Sequence, residues 1–234
     1  MTRHPNASRV HRAPTEPDDV FTTHVIEFAL WARKHARLLG IAALAIVLVL
    51  AGALYYRSYQ RTLRDQAAAQ FNDVRATASS GNRQLAIRDL ENFLKRFGGT
   101  PAADEARVVL AEVYLADGNP DKAIETARPL ASDLDEPLGI TAAFLVANAY
   151  EAKDQAREAE QLYLRIADRA QLAHQERDAL AAAARIRMDR GDAAGAAQLY
   201  ERILESLSAT NPDRAVYEVR LGEARALASS SSRG

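Results

Sequence analysis

The feature that most constrains this chain is an uncharged apolar run in its first quarter. Residues Leu38 to Tyr56 read LLGIAALAIVLVLAGALYY, without an Asp, Glu, Lys or Arg. A helix rises about 1.5 Å per residue, so a run of this length nearly crosses a hydrocarbon layer of about 30 Å. Trp31 precedes the run and Tyr59 follows it, and such aromatic rings favour the two membrane interfaces. The sequence therefore predicts a transmembrane helix over residues 38–56.

A cleaved secretory signal peptide is the competing interpretation of this run. Ala51, Gly52 and Ala53 supply the small-x-small pattern at which signal peptidases cut. Residues 1–37, however, are longer than an ordinary n-region, and the apolar run exceeds the usual h-region. An uncleaved anchor fits these lengths better.

Basic residues around the run predict its orientation. The counts close to the two ends are equal, with Arg33, Lys34 and Arg37 before the run and Arg57, Arg61 and Arg64 after it. Arg3, Arg9 and Arg12 add to the N-terminal side, and cytoplasmic segments carry the excess of basic residues. We therefore expect a cytoplasmic N-terminus and a C-terminal part outside the cytoplasm.

Two segments precede the predicted membrane helix. Residues 1–17 are polar and rich in Pro, which predicts a disordered cytoplasmic tail. Residues 18–37 carry Phe21, Val25 and Phe28 at helical spacing, which predicts a juxtamembrane amphipathic helix. This helix either lies on the inner membrane face or simply leads into the spanning helix, and the sequence leaves both possibilities open.

The rest of the chain repeats one pattern with a period in the mid-thirties. Each copy has a turn position followed by a small residue at a constant spacing, and these pairs are Gly81 and Ala86, Gly118 and Ala123, Asp154 and Ala159, and Gly191 and Ala196. The pattern predicts a helix, a tight turn and a second helix in every copy. Because one hairpin cannot bury its apolar stripe alone, the hairpins are expected to stack into a solenoid.

The predicted fold class is therefore all-α, with a single N-terminal transmembrane helix followed by a tetratricopeptide-like α-solenoid over residues 57–228. No Gly or Pro interrupts the chain between Tyr56 and Ser79, so the spanning helix is expected to continue into the first repeat. A last amphipathic helix, Asp213–Ala228, is predicted to cap the stack through Val216, Leu221, Ala224 and Leu227. Residues 229–234 are predicted to be a disordered tail.

The repeats resemble the tetratricopeptide repeat. Their residues follow a Leu-Ala-x-x-Tyr-x-x-x-Gly-x-x-x-x-Ala arrangement at Leu110, Ala111, Tyr114, Gly118 and Ala123. The resemblance runs from about Gln66 to Leu227, although the usual first-helix Trp is absent and Asp154 replaces a turn Gly.

By this resemblance, the first helix of each pair lines a concave groove that binds a partner. The implied groove residues are Phe71, Arg75, Glu105, Val108, Glu112, Phe144, Asn148, Glu151, Ala181, Arg185 and Met188. Asn148 fits one position of a carboxylate clamp, but the Lys of such a clamp is missing, so an apolar or mixed peptide is the expected ligand. The alternative is that Phe71, Val108 and Phe144 are ordinary core residues between neighbouring helices.

Composition and motifs predict no catalytic chemistry. Lys and Arg number 30 against 31 for Asp and Glu, so the chain lacks the basic surplus of a nucleic-acid-binding protein. With no Cys there is no thiolate nucleophile and no Cys-ligated metal site. The sequence has no phosphate-binding Gly loop, nucleophile elbow or His cluster. We expect a protein that is not an enzyme, without cofactor, metal or small-molecule substrate.

The order of these segments resembles the YfgM-like family. A single anchor is followed by a Tyr-rich exit, YYRSYQRTLRDQAAAQF, and by degenerate repeats that contain PAADEAR at Pro101–Arg107. That family consists of ancillary subunits of the SecYEG translocon, with a cytoplasmic N-terminus, a periplasmic repeat domain and an associated membrane-anchored chaperone of the prolyl isomerase type.

The resemblance implies a non-catalytic scaffold of the bacterial inner membrane that assists protein export. Its partners would be translocon subunits, the chaperone, exported chains and the lipid bilayer. The alternative function is that of a structural adaptor for cell-envelope assembly complexes.

Overall fold

The computed structural model describes residues 31–79 and 81–231, and every regular element in these ranges is a helix. Nine elements follow one another, α1 (Ala36–Ser79), α2 (Arg83–Phe97), α3 (Pro101–Ala116), α4 (Pro120–Ala131), α5 (Pro137–Ala152), α6 (Ala156–Arg169), α7 (Ala173–Asp189), α8 (Ala193–Ser206) and α9 (Arg214–Ser231). Residues 31–34 are also helical and end in a turn at His35. The predicted tail, 1–17, and residues 18–30 of the predicted juxtamembrane helix lie outside the described residues.

The chain divides into two compact units, residues 1–60 and 61–234. In the first unit, the apolar run forms part of α1 and all its side chains are exposed. Among the described helices, α1 is long and apolar enough to cross a membrane, judged by length and composition alone, with a mean hydropathy of 2.6 in its most apolar window. As predicted, this helix continues without interruption to Ser79.

In the second unit, consecutive helices from α2 to α9 pack against each other, and α3 also packs against α5. These contacts stack one hairpin on the next, which is the arrangement the repeats predict. Phe71 near the end of α1 lies 5.9 Å from Phe93 of α2 between ring centroids, so the final turns of α1 belong to the first hairpin. The side chains buried where the helices cross are small, and four of them, Ala86, Ala123, Ala159 and Ala196, are fully buried.

Local capping sets where several helices begin. The Asn82 side chain accepts a hydrogen bond from the Leu85 N–H at the start of α2, and the Asp192 side chain does the same for the Gly195 N–H at the start of α8. The Thr100 hydroxyl accepts from the Ala103 N–H and donates to the Phe97 carbonyl, so it joins the end of α2 to the start of α3. These contacts satisfy backbone groups that a helix terminus leaves unpaired.

The turns within the hairpins match the predicted repeat at all four positions. Gly81, Gly118, Asp154 and Gly191 have φ values of +86°, +76°, +56° and +81°. In the last three turns, the N–H of the residue after the positive-φ position donates to a backbone carbonyl in the last turn of the preceding helix. These bonds run from Asn119 to Tyr114 (2.8 Å), from Gln155 to Tyr150 (2.9 Å) and from Asp192 to Arg187 (2.8 Å). Asp154 therefore adopts the left-handed conformation that Gly takes elsewhere, which confirms the assignment of the degenerate copy.

The last helix differs from its prediction in two respects. Leu221 and Ala224 are buried against the stack, as a capping helix requires, but Val216 and Leu227 are 59% and 52% exposed, so the prediction that they also pack against the stack was wrong. Helix α9 packs against α8, and no later helix of the described chain covers its other side. It also ends at Ser231 instead of Ala228, so residues 229–231 of the predicted tail are helical.

Candidate functional site

The predicted groove residues lie on α1, α3, α5 and α7, the first helices of the four pairs. A cavity of about 380 Å³, here called the Phe71 pocket, brings together five of them, Phe71, Arg75, Glu105, Val108 and Glu112. Leu138 of α5 completes its lining, together with Ala78, Ser79, Val109 and Val113. The first three helices of the groove thus contribute to one concavity.

The floor of the Phe71 pocket is apolar. Phe71 and Val108 are only 6% and 7% exposed, and both belong to the hydrophobic core. They therefore serve the packing of the hairpins and line the cavity at the same time. Leu138 is partly buried and packs against the same core. Phe71 and Val108 can therefore be both core residues and part of a binding surface.

The rim of the Phe71 pocket is charged. Arg75, Glu105 and Glu112 are exposed residues, and none of them forms an ion pair with another residue in the described ranges. Although Glu112 reaches solvent, partial burial of its carboxyl raises its pKa above the ordinary value, while the charge of Arg75 acts to lower it. The rim carries two carboxylates and one guanidinium that are not engaged with each other at contact distance.

The middle of the groove is a connected polar network. The Tyr163 hydroxyl, from the second helix of its pair, lies 2.5 Å from Asn148 Oδ1 and 2.8 Å from Glu151 Oε1, and its single proton is shared between these two acceptors. Arg185 Nη2 donates to Glu151 Oε2 at 2.5 Å. Phe144 packs beside the same tyrosine, with 6.0 Å between ring centroids. Burial, reinforced by the hydrogen bond to Glu151, raises the pKa of the Tyr163 hydroxyl.

A second cavity, of about 510 Å³ and here called the Tyr217 pocket, lies between α7 and α9. Three predicted residues, Ala181, Arg185 and Met188, line it. Its charges are paired, because Arg185 lies 3.6 Å from Asp189 and Arg220 lies 3.2 Å from Glu223. Phe144, Asn148 and Glu151 line neither cavity, so the structure divides the predicted groove into two pockets and a polar middle.

Sequence reasoning missed Tyr163, Tyr217 and Arg220. Tyr163 recurs one repeat later as Tyr200, which lines the Tyr217 pocket. This recurrence of a tyrosine at the same repeat position could have identified Tyr163 from the sequence. No comparable signal marked Tyr217 and Arg220, because α9 was expected only to cover the last hairpin. Burial raises the pKa of both Tyr200 and Tyr217.

The described residues offer no group of three or more His, Cys, Asp or Glu side chains that could hold a metal ion. The groove offers a ligand exposed charged side chains, partly buried apolar side chains and shallow concavities. Such surfaces bind protein segments through apolar anchors and a polar rim.

Comparison with known proteins defines the class. A family model described as a tetratricopeptide repeat-like domain matches residues 30–223, and the chain belongs to this family. Repeats of this kind form a protein–protein interaction scaffold and are typically non-catalytic. No curated protein matches the chain.

Solved structures show the same fold. The chain is similar to a Podosopora anserina putative kinesin light chain with nearly identical TPR-like repeats, at a TM-score of 0.58 and 19% identity, over 73% of this chain and 90% of that one. A second crystal structure, of a glutamine-to-methionine variant of that protein, matches at a TM-score of 0.57 and 20% identity, with the same coverage. At such identity the likeness describes the fold of the repeats only.

Proposed function

We propose that this protein is a membrane-tethered, non-catalytic scaffold of the bacterial inner membrane that assists protein export. In this proposal the N-terminus is cytoplasmic and the repeat domain periplasmic. The repeats link the Sec translocon to a membrane-anchored chaperone of the prolyl isomerase type and contact exported chains. The observation that carries the proposal is that one helix, α1, contains both the apolar run and buried residues of the first hairpin.

The apolar run supports the anchor. Its large side chains, including Ile41, Val49 and Leu50, are exposed along the whole segment. A soluble protein rarely exposes a contiguous apolar surface of this extent, whereas lipid solvates it favourably. The matched family region, 30–223, also includes the run together with the repeats. This match supports a single architecture that combines anchor and solenoid.

The repeat domain supports a scaffold over an enzyme. The Phe71 and Tyr217 pockets are open concavities lined by both apolar and charged side chains, which suit protein segments. The translocon and chaperone partners come from the resemblance of the whole architecture to the YfgM-like family.

The partner test is crosslinking in intact bacteria that produce the tagged full-length protein, followed by mild-detergent purification and identification of stoichiometric partners. Recovery of translocon subunits together with a periplasmic chaperone is the expected result. Recovery of only envelope-assembly proteins would replace the export function with that of a structural adaptor. Recovery of neither would remove the translocon from the proposal.

The anchor is tested separately by charge insertion. Leu44→Arg together with Val47→Arg should move the protein out of the membrane fraction, because charge at the centre of a spanning helix is costly. The matched control, Arg57→Lys with Arg61→Lys, keeps the charge and should stay in the membrane. A reporter fused after Gly234 should be active only on the periplasmic side, and activity in the cytoplasm would contradict the proposed orientation.

A further inference from the structure

We propose that the Phe71 pocket binds a protein segment that presents an apolar side chain beside a Lys or Arg side chain. This inference rests on the proposed function as a protein-binding scaffold and specifies the chemistry of one ligand site. The carrying observation is the juxtaposition of an apolar floor with a rim on which carboxylates outnumber cations.

The arrangement of α3 defines the apolar and acidic positions. Glu105, Val108 and Glu112 all line the pocket from this helix. Their spacings of three and four residues place them along one helix face, with the two carboxylates two turns, or about 10.5 Å, apart. A segment lying along α3 would meet a carboxylate, then an apolar patch shared with Phe71 and Leu138, then a second carboxylate.

The charge state of the rim favours a basic ligand. Elsewhere in the groove the carboxylates are engaged, since Glu151 bonds Arg185 and Asp189 lies beside the same guanidinium. Glu105 and Glu112 form no ion pair in the part of the chain that the structure describes. A ligand cation would meet two carboxylates and one guanidinium, so net attraction is expected, whereas a ligand carboxylate would meet net repulsion.

The partial desolvation of Glu112 points the same way. Neighbouring groups in the folded protein already remove part of the water around its carboxyl. Forming an ion pair with a ligand therefore requires less further desolvation of this carboxyl. A charge-assisted hydrogen bond from Lys or Arg would compensate this cost. The charge of Arg75 offsets one of the two carboxylate charges, which favours a ligand with a single basic side chain.

The experiment is selection of a displayed random peptide library on the full-length protein in lipid nanodiscs, followed by affinity measurement on the best synthetic peptide. We expect enriched peptides to carry Lys or Arg within four residues of Leu, Ile, Phe or Met. Glu105→Gln combined with Glu112→Gln should weaken that peptide by about tenfold. Replacing its basic residue by Gln should give the same loss, and the two changes together should not add.

The matched control is Glu205→Gln, since Glu205 of α8 is exposed and does not line the Phe71 pocket. It should leave peptide affinity unchanged. A photo-crosslinking amino acid at Ser79, which lines the pocket, should capture the peptide, whereas the same group at Glu205 should not. Circular dichroism and melting of each variant show that its fold is retained.

The outcomes separate the two proposals. Peptides that crosslink at Ser79 but show no basic preference, or that bind Glu105→Gln/Glu112→Gln as well as the parent, would overturn this inference and leave the scaffold function standing. Enrichment of acidic peptides would overturn it in favour of Arg75 as the selecting residue. Absence of any enriched peptide that crosslinks at Ser79 would overturn the inference and also count against a binding role for this groove.

Discussion

The two ends of the groove have the same helical framework and opposite charge arrangements. At the Phe71 pocket, Glu105 and Glu112 form no ion pair in the described ranges, whereas at the Tyr217 pocket Arg185 and Arg220 are paired with carboxylates of the same surface. Each of these pairs lies within a single helix, at spacings of four and three residues, and they occupy charged groups of a kind that remain available to a ligand at the Phe71 pocket. This difference is the reason for proposing the ligand site at the Phe71 pocket and not at the Tyr217 pocket.

The largest expected effect comes from breaking the network at the middle of the groove. Tyr163 is 2% exposed and packs against Phe144 while its hydroxyl serves Asn148 and Glu151. Tyr163→Ala should cost about 3–5 kcal/mol of unfolding free energy, through the cavity and the lost hydrogen bonds. Urea denaturation of the detergent-solubilised protein measures this change.

Tyr163→Phe is the matched control, because it keeps the ring and removes only the hydroxyl. It should cost about 1–2 kcal/mol, since Asn148 and Glu151 lose a donor but still reach other partners or solvent. Equal losses for the two variants would mean that the hydroxyl network, and not ring packing, dominates this site.

Substitutions at the turn residues should change the free energy of unfolding in the same way in every repeat. The two ends of the groove therefore differ in their charges and not in their turns. At Gly118 an added Cβ would meet no atom within 4 Å, so any cost of substitution arises from the positive φ. Gly118→Val should lose about 1–2 kcal/mol, whereas Gly118→Asp should lose clearly less, because Asp154 occupies the equivalent turn at φ +56°. Thermal unfolding followed by circular dichroism compares the variants. If Asp and Val were equally destabilising, the equivalence of the two turns would be refuted.

Removing one carboxylate from each part of the groove tests the comparison directly. Glu151→Gln should destabilise the protein by about 0.5–1 kcal/mol, a value reduced by the exposure of Arg185 to solvent. Glu105→Gln should change stability by less than about 0.5 kcal/mol, because no described ion pair is lost. The urea midpoints of the two variants are the measurement, and the opposite ranking would contradict the structural role assigned to the paired charges.

The smallest effect is the pH dependence of Glu112. Its pKa is raised in the folded state, so the folded protein retains this proton to higher pH than the unfolded chain, and stability falls as pH rises from the unfolded pKa of about 4.3 through the folded pKa. Glu112→Gln should match the parent below about pH 4 and melt higher by about 1 °C or less at pH 7. A lower melting temperature at pH 7 would mean that Glu112 makes a stabilising contact.

The features readable from the sequence are those with local causes. The period that relates Gly118 to Asp154 reflects backbone turns that each copy must form for itself, and all four predicted turns have positive φ. The small residues such as Ala123 and Ala159 are buried because any close helix crossing requires a small side chain. The apolar run is likewise recognised from composition and length alone.

Tertiary structure decided which charges are engaged and which surfaces remain open. The bonds from Tyr163 to Glu151 and from Arg185 to Glu151 join different helices, so they depend on the relative rotation of neighbours that no single helix encodes. The exposure of Val216 likewise depends on whether another element packs against the outer side of α9. A repeat period specifies the backbone unit, whereas the location of a binding surface depends on how the units meet, because side-chain pairing is governed by distances between helices.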